Sequence, residues 1–160
     1  MRTALCPGSF DPPTNGHLEI FETASRLFDQ LVVAPIRNPG KGEPMFSVDE
    51  RIDMITGILG HLDNVKVVSM TKLTVDVARD VGADVIVKGL RVASDFDAEM
   101  MQAQMNKAIS GIETVFLPCT SQSSFIASSL VRDIARIGGP DRITSLVPKL
   151  VVDRVRAKFG

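Results

Sequence analysis

Short, unbroken apolar runs alternate along this chain with stretches whose apolar residues recur every three or four positions. The runs are Thr3-Ala4-Leu5-Cys6, Leu31–Ala34, Val65–Val68, Val85–Val87 and Thr114–Leu117. They do not alternate with polar residues, as expected of strands in a parallel sheet covered by helices on both faces. Between them, Leu18, Phe21, Ala24, Leu27 and Phe28 share one face of a first helix. Ser47-Val48-Asp49-Glu50 reads as a capping box opening a second, which turns Ile52, Ile55, Ile58 and Leu59 inward. A third covers Val75–Val81 and stops at Gly82. A fourth runs from Asp95 to near Ile109, and its stripe of Phe96, Met100, Ala103 and Lys107 reads as adaptable core or a subunit contact. A fifth spans Leu130–Ile137 before Gly138-Gly139, and Pro148 starts a sixth. This pattern predicts an α/β fold in one domain, residues 1–160: a Rossmann-like, doubly wound sheet of five parallel strands with helices on both faces.

Composition narrows the picture by exclusion. A chain of 160 residues buries ~70% of the surface of its unfolded form. A net charge of −1 gives no global field for nucleic acid or a membrane surface, so an anionic ligand must be met by a local cluster of Lys and Arg. No apolar run approaches the ~20 residues of a membrane span, and no signal peptide opens the chain. Cys6 and Cys119 form neither a metal-ligand spacing nor a CxxC pair. They read as small buried hydrophobes of a cytosolic chain with free thiols. Trp and Tyr are absent, so stacking on a base would fall to Phe or to aliphatic groups.

Three segments that follow strands have the residue types of a phosphate site. "CPGSFDPPTNGH", residues 6–17, is strand, stiff turn and helix start. Gly8 permits close backbone approach, and Thr14 and Asn15 are good capping types. The exposed N–H groups of a helix start favour an anion. His17 either donates to a phosphate oxygen there or merely packs at the helix start, and the stretch alone does not decide. Lys88-Gly89-Leu90-Arg91 follows the fourth strand and places two cations around a glycine. Ser123-Ser124-Phe125-Ile126-Ala127-Ser128-Ser129 is a hydroxyl-rich loop leading into the fifth helix, which Ser128 or Ser129 could cap. Lys41, in the loop Arg37–Pro44 after the second strand, joins them. All four lie at the carboxyl edge of the predicted sheet, where such folds bind ligands. The convergence suits a nucleoside triphosphate and a reaction run by positioning and charge neutralisation.

"GSFDPPTNGH" resembles the G-[ST]-F-D-x-x-T-x-G-H signature of the HIGH-type nucleotidylyltransferases, and "IASSLVR" is similar to their second motif. Within that superfamily, "KGLR" followed by "DFDAEMMQAQMN" resembles the bacterial phosphopantetheine adenylyltransferase family. The resemblance covers nearly the whole chain, including the Asn-Pro-Gly-Lys loop and "PMF". It implies transfer of AMP from ATP to 4′-phosphopantetheine in line, without a covalent enzyme intermediate. It further implies Mg²⁺ held mainly through the ATP phosphates, a homohexamer, a cytoplasmic setting, and neither nucleic-acid nor membrane partners.

The site it implies has His17, Lys41, Arg91 and Ser129 as the catalytic set. Ser9, Phe10, His17, Gly89, Leu90, Arg91, Glu99 and Ser123 through Ser129 would bind ATP. Ser9, Lys41, Thr74 and Lys88 would bind the acceptor. Four positions depart from the usual pattern: Thr74, Ala98, Ser123 and Ala127. Relatives acting on glycerol phosphate or nicotinamide mononucleotide usually carry a histidine where Thr14 stands, and lack the KGLR and Met-Asn segment. A non-catalytic nucleotide-sensing module on the same scaffold would be expected to lose His17 or a site cation, and this chain keeps them.

Overall fold

Each apolar run becomes a strand and each periodic stretch a helix. The computed structural model describes residues 1–160. It runs β1 Thr3–Gly8, α1 Asn15–Leu27, β2 Gln30–Pro35, α2 Val48–Ile58, β3 Val65–Val67, α3 Thr74–Asp80, β4 Val85–Leu90, α4 Ala93–Ser110, β5 Glu113–Pro118, α5 Ser128–Gly138 and α6 Lys149–Phe159. The strands form one sheet in the order β3-β2-β1-β4-β5, and every pairing is parallel. This is the doubly wound arrangement that the alternation predicts.

Successive strand residues point to opposite faces, and the core follows that rule. Ala4, Cys6, Leu31 and Val33 pack with Ile20, Phe21 and Ala24 of α1 and Ile55 of α2. Leu5, Val32 and Ala34 face the other way, onto Met70 and onto Val77 and Ala78 of α3. A third cluster joins α2, α5 and α6 through Met54, Val131, Val151 and Val155. It also draws in Met45, Phe46 and Ile126, so two loops that follow strands are pinned by buried apolar side chains.

The β1–β4 ladder has only two registered pairs and ends at Leu5–Ile86. By contrast, β1 stays with β2 as far as Gly8–Pro35, and β4 with β5 as far as Leu90–Pro118. The two central strands therefore part at their carboxyl ends, at the point where strand order reverses. That gap is where a doubly wound sheet offers a ligand crevice.

Four details differ from the sequence reading. Lys88, Gly89 and Leu90 are the last residues of β4, so the motif lies in the strand and only Arg91 passes its end. Neither Ser128 nor Ser129 caps α5: Ala127 holds the N-cap without a side-chain bond, and Ser128 Oγ instead donates to the Pro12 carbonyl at 2.9 Å. The α4 stripe is not core. Only Asn106 of α4 is buried, while Asp95, Glu99, Met100 and Ala103 are half-buried on the inward side. Polar residues occupy that side because it faces the strand-end cations, which leaves Met101, Met105 and Ile109 exposed. Pro148 is the N-cap residue of α6 and not its first helical position.

One charged residue braces the carboxyl edge from inside. Arg51 of α2 is 1% exposed and donates to the carbonyls of Ile36 at 2.8 Å, Phe46 at 3.1 Å, Ser47 at 3.2 Å and Ser9. Buried Asp11 complements it, accepting the N–H groups of Met45 and Phe46 at 2.8 Å each. Together they join the loops after β1 and β2 to the start of α2. Truncation of Arg51 would strand several buried acceptors and leave the Asp11 carboxylate without its nearby cation. We expect Arg51→Ala to lower unfolding free energy by about 3–5 kcal/mol in denaturant titration, with Arg51→Lys recovering only part because an ammonium cannot reproduce the planar fork.

Candidate active site

The gap between β1 and β4 opens into a cleft of about 590 Å³, the size of an ordinary small-molecule site. Its floor comes from Cys6, Pro7 and Gly8 on one strand and Lys88 and Gly89 on the other, with Ile20 and Phe21 of α1 beneath. The backbone at this point has little freedom. A Cβ on Gly8 would sit 2.6 Å from the ring of Phe10, and one on Gly89 would sit 2.9 Å from Ile20. Gly89 is thus required by helix packing as well as by any close ligand approach. Phe10 itself has a φ of +49°, a conformation that costs a residue with a Cβ about 1–2 kcal/mol. Its ring offsets that cost by edge-on packing against His17 at 4.9 Å and Phe21 at 5.1 Å.

His17 packs at the helix start and also lines the cleft. It is the third residue of α1, and Thr14 caps the helix by accepting the His17 N–H. The Thr14 N–H in turn donates to His17 Nδ1 at 3.0 Å. An Nδ1 that accepts a backbone proton is unprotonated, so the neutral ring carries its proton on Nε2. The ring also lines the cleft. Burial, followed by the charges of Arg91, Lys88 and Lys41, pushes its pKa down to about 3. The ring is thereby a fixed, uncharged hydrogen-bond donor with its Nδ1 already engaged.

Around it stand four cations, Lys41, Lys88, Arg91 and Arg132, against two carboxylates, Asp95 and Glu99. A chain of net charge −1 thus concentrates positive charge at one place. Lys88 lies 3.5 Å from Glu99. Arg91 is held by both oxygens of Asp95 at 3.2 Å and donates to the Ile126 carbonyl at 3.1 Å. Asp95 and Glu99 are one turn apart on α4, which explains how one helix face holds both strand-end cations. Lys41 lies in a short 3₁₀ turn, Pro39–Lys41, whose start is capped by the Asn38 side chain accepting the Gly40 N–H at 3.0 Å.

Ser9, Phe10, His17, Lys41, Lys88, Gly89, Arg91, Glu99, Ile126, Ala127, Ser128 and Ser129 all line the cleft. Leu90, Thr74, Ser123, Ser124 and Phe125 stand outside its lining. Thr74 opens α3, and Phe125 is 64% exposed. Ser123 is buried with its hydroxyl on Glu19. Cys6 and Cys119 line the cleft too. Burial, opposed by Lys88, pushes the Cys6 thiol up to about 12, and burial also raises that of Cys119. Both are therefore protonated thiols with little nucleophilic character.

Sequence reasoning passed over Asp11, Arg51, Glu19 and Arg132. Arg132 closes the quoted "IASSLVR" and was legible as a further cation of that motif. Glu19 and Arg51 left no signal, because their partners lie as far as 104 and 42 residues away in the chain.

No three His, Cys, Asp or Glu side chains come together as a metal-holding group. The two cleft carboxylates are engaged by cations.

The cytidylyltransferase-like family model matches residues 5–134. Among solved structures, a protein assigned as a nicotinate-nucleotide adenylyltransferase from Vibrio parahaemolyticus superposes with a TM-score of 0.67, covering 97% of this chain and 99% of its own at 18% identity. A lipopolysaccharide core biosynthesis protein from Thermoplasma volcanium gives a TM-score of 0.54 over 75% of this chain and 97% of its own, at 24% identity. At those identities the likeness speaks for the fold. The family model, which spans most of the chain, makes the class a cytidylyltransferase-like α/β domain.

Two curated relatives narrow it further. Phosphopantetheine adenylyltransferase from Gloeobacter violaceus is 49% identical over 158 residues, 98% of this chain and 96% of the relative. The protein of the same name from a Synechococcus strain is 49% identical over 157 residues, 98% of this chain and 97% of its own. The chain belongs to the phosphopantetheine adenylyltransferase family.

The folded protein keeps His17 neutral down to about pH 3, whereas the unfolded chain protonates it near pH ~6.5. Between those values the unfolded state binds more protons, so this residue makes stability rise with pH across that window. In an NMR titration the His17 ring should show no protonation step between about pH 5 and 8. His17→Gln should flatten the gain in stability between about pH 4 and 7, measured by chemical denaturation. A His17 step in the neutral range would contradict the assigned environment.

Proposed function

We propose that this chain transfers the adenylyl group of ATP to 4′-phosphopantetheine, yielding dephospho-coenzyme A and pyrophosphate, a step of coenzyme A biosynthesis. The observation that supports the reading best is the cleft between β1 and β4, where a neutral His17 stands among Lys41, Lys88, Arg91 and Arg132. A phosphate oxygen of the acceptor forms a bond to the α-phosphorus, and the bond from that phosphorus to the bridging oxygen of the β-phosphate breaks. Pyrophosphate carries the charge away. The nucleophile is already an anion, so no residue needs to remove a proton, and protonated Cys6 and Cys119 fit a reaction without a covalent enzyme intermediate.

In this reading His17 donates from Nε2 to the α-phosphate as charge shifts in the transition state. A neutral donor binds there without pairing so tightly in the ground state as a cation would. Lys41 and Lys88 hold the acceptor phosphate, with Ser9 between the two substrates. Thr74 is retained as an acceptor-side residue at the start of α3. Arg91 holds the triphosphate together with Ser128 and Ser129, and Arg132 adds a cation to the same side. Phe10, Glu99, Ile126 and Ala127, which line the cleft, complete the nucleotide side. Magnesium, carried on the ATP phosphates, would supply further charge neutralisation there.

The family reading also includes a homohexamer in the cytoplasm acting without nucleic-acid or membrane partners. The exposed Met101, Met105 and Ile109 of α4 are surface that such an assembly would bury, and no helix is long and apolar enough to cross a membrane.

Incubation with MgATP and a panel of phosphorylated acceptors, followed by pyrophosphate release, tests the reaction. We expect turnover with 4′-phosphopantetheine and none with nicotinate mononucleotide, nicotinamide mononucleotide or glycerol phosphate. His17→Ala should lower kcat by on the order of 10²–10³ with ATP affinity changed severalfold at most. Turnover only with one of the other acceptors would overturn the substrate assignment, and ATP binding without turnover of any acceptor would favour a sensing module. Near-normal kcat in His17→Ala would remove the histidine from the mechanism.

A further inference from the structure

The loop that leads into α5 is held against the cleft from two sides. On the inner side, Arg91 donates to the Ile126 carbonyl at 3.1 Å. That contact comes from a cation which, in the function proposed above, must also serve phosphate. On the outer side, Glu19 of α1 receives three hydrogen bonds from the turn that begins the loop. The Thr120 N–H donates to Glu19 Oε1 at 2.6 Å, the Thr120 hydroxyl to Oε2 at 3.0 Å, and the Ser123 hydroxyl to Oε2. These bonds hold the carboxyl below its ordinary range although partial desolvation opposes them.

The turn passes this anchorage on to the site. The N–H groups of Ser123 and Ser124 donate to the Thr120 carbonyl at 3.2 and 2.9 Å, and the Ile126 N–H donates to the Ser123 carbonyl at 3.1 Å. Ser123 is 4% exposed. Its carbonyl lies so close to α1 that a Cβ on Gly16 would be 3.4 Å away. Gly16 and Glu19 flank His17 on the same helix. Ile126, Ala127, Ser128 and Ser129 line the cleft, whereas Glu19, Thr120 and Ser123 do not.

From this we infer that Glu19 is a positioning residue for the nucleotide half of the site: its carboxylate fixes the Thr120–Ser123 turn to α1, and so sets the Ile126–Ser129 segment in register with His17. The inference rests on the nucleotide reading of the cleft. Its chemistry explains why the anchor lies outside. When a triphosphate engages Arg91, the guanidinium is shared between ligand and loop, and the inner tether weakens. The Glu19 bonds touch no ligand and persist. Charge-assisted bonds to a carboxylate are the strong class, and three on one group resist fraying of the turn better than neutral caps would.

The test is steady-state kinetics and calorimetry on the full chain with MgATP. Glu19→Ala is expected to raise the KM for ATP, and the calorimetric ATP Kd, about tenfold. The KM for 4′-phosphopantetheine should stay within about twofold, and kcat should fall less than the KM for ATP rises. Ser123→Ala should shift ATP affinity in the same direction by a smaller factor. Glu22→Ala, on the same helix and paired only with surface His61, should match the wild type. Wild-type ATP affinity in Glu19→Ala, or an equal loss for both substrates, overturns the inference. Should Glu19→Ala fail to fold, wild-type ATP affinity in both Ser123→Ala and Thr120→Val overturns it instead. The calorimetric arm needs no acceptor, so a protein that binds ATP but does not adenylylate 4′-phosphopantetheine overturns the proposed reaction while still deciding the role of Glu19.

Discussion

The carboxyl edge of this sheet depends on a positive charge placed where water cannot reach it. Arg51 donates to four carbonyls that belong to three different stretches of chain, and Asp11 accepts two backbone N–H groups beside it. Each stretch follows a strand or starts a helix, and each would otherwise bury unpaired backbone groups. Desolvating a guanidinium is costly, and only a full set of acceptors makes it tolerable. Once that set is made, the loops after β1 and β2 lose their freedom to move independently. Ser9 is then held through its carbonyl, and the loop after β2, which carries Lys41, is held at its two ends, Ile36 and Met45–Ser47.

The same edge shows how the fold separates charge from hydrogen bonding. β1 and β4 part after Ile86, and the opening collects Lys88 and Arg91 from the carboxyl end of one strand. Carboxylates of α4 keep these two cations in fixed positions. His17, by contrast, is kept neutral by burial and then by the surrounding positive charge, and its tautomer is set by the Thr14 N–H. In the proposed function, cations draw phosphate in and an uncharged donor meets a particular oxygen. That division suits phosphoryl-type chemistry, where placement of charge contributes more than proton transfer.

Much of this was readable along the chain because it depends on local periodicity. The unbroken apolar runs at Leu31–Ala34 and Val85–Val87 announced strands covered on both faces, and Ser47 with Glu50 announced the start of α2, where both capping bonds form. Where a neighbour decides, local reading misled. The α4 stripe of Phe96, Met100, Ala103 and Lys107 looked like buried core or a subunit contact, yet Met100 and Ala103 are only half-buried and share the inward side with Asp95 and Glu99, which meet the strand-end cations there. Ser128 looked like a cap but reaches across to the Pro12 carbonyl, 116 residues earlier.

The site divides in the same way. The sequence by itself determined the alternation of strands and helices, the glycines that close packing demands, and the motifs that deliver His17, Lys41, Lys88, Arg91 and Ser129 to one edge. These follow from residue type and spacing, which act over a few positions. Only the tertiary structure decided that β1 and β4 separate there, that His17 is a neutral donor, that Ser123 turns away from the cleft to Glu19, and that Arg51 closes the rim. Each of those outcomes depends on desolvation or on a partner far along the chain, and neither is encoded in the order of neighbouring residues.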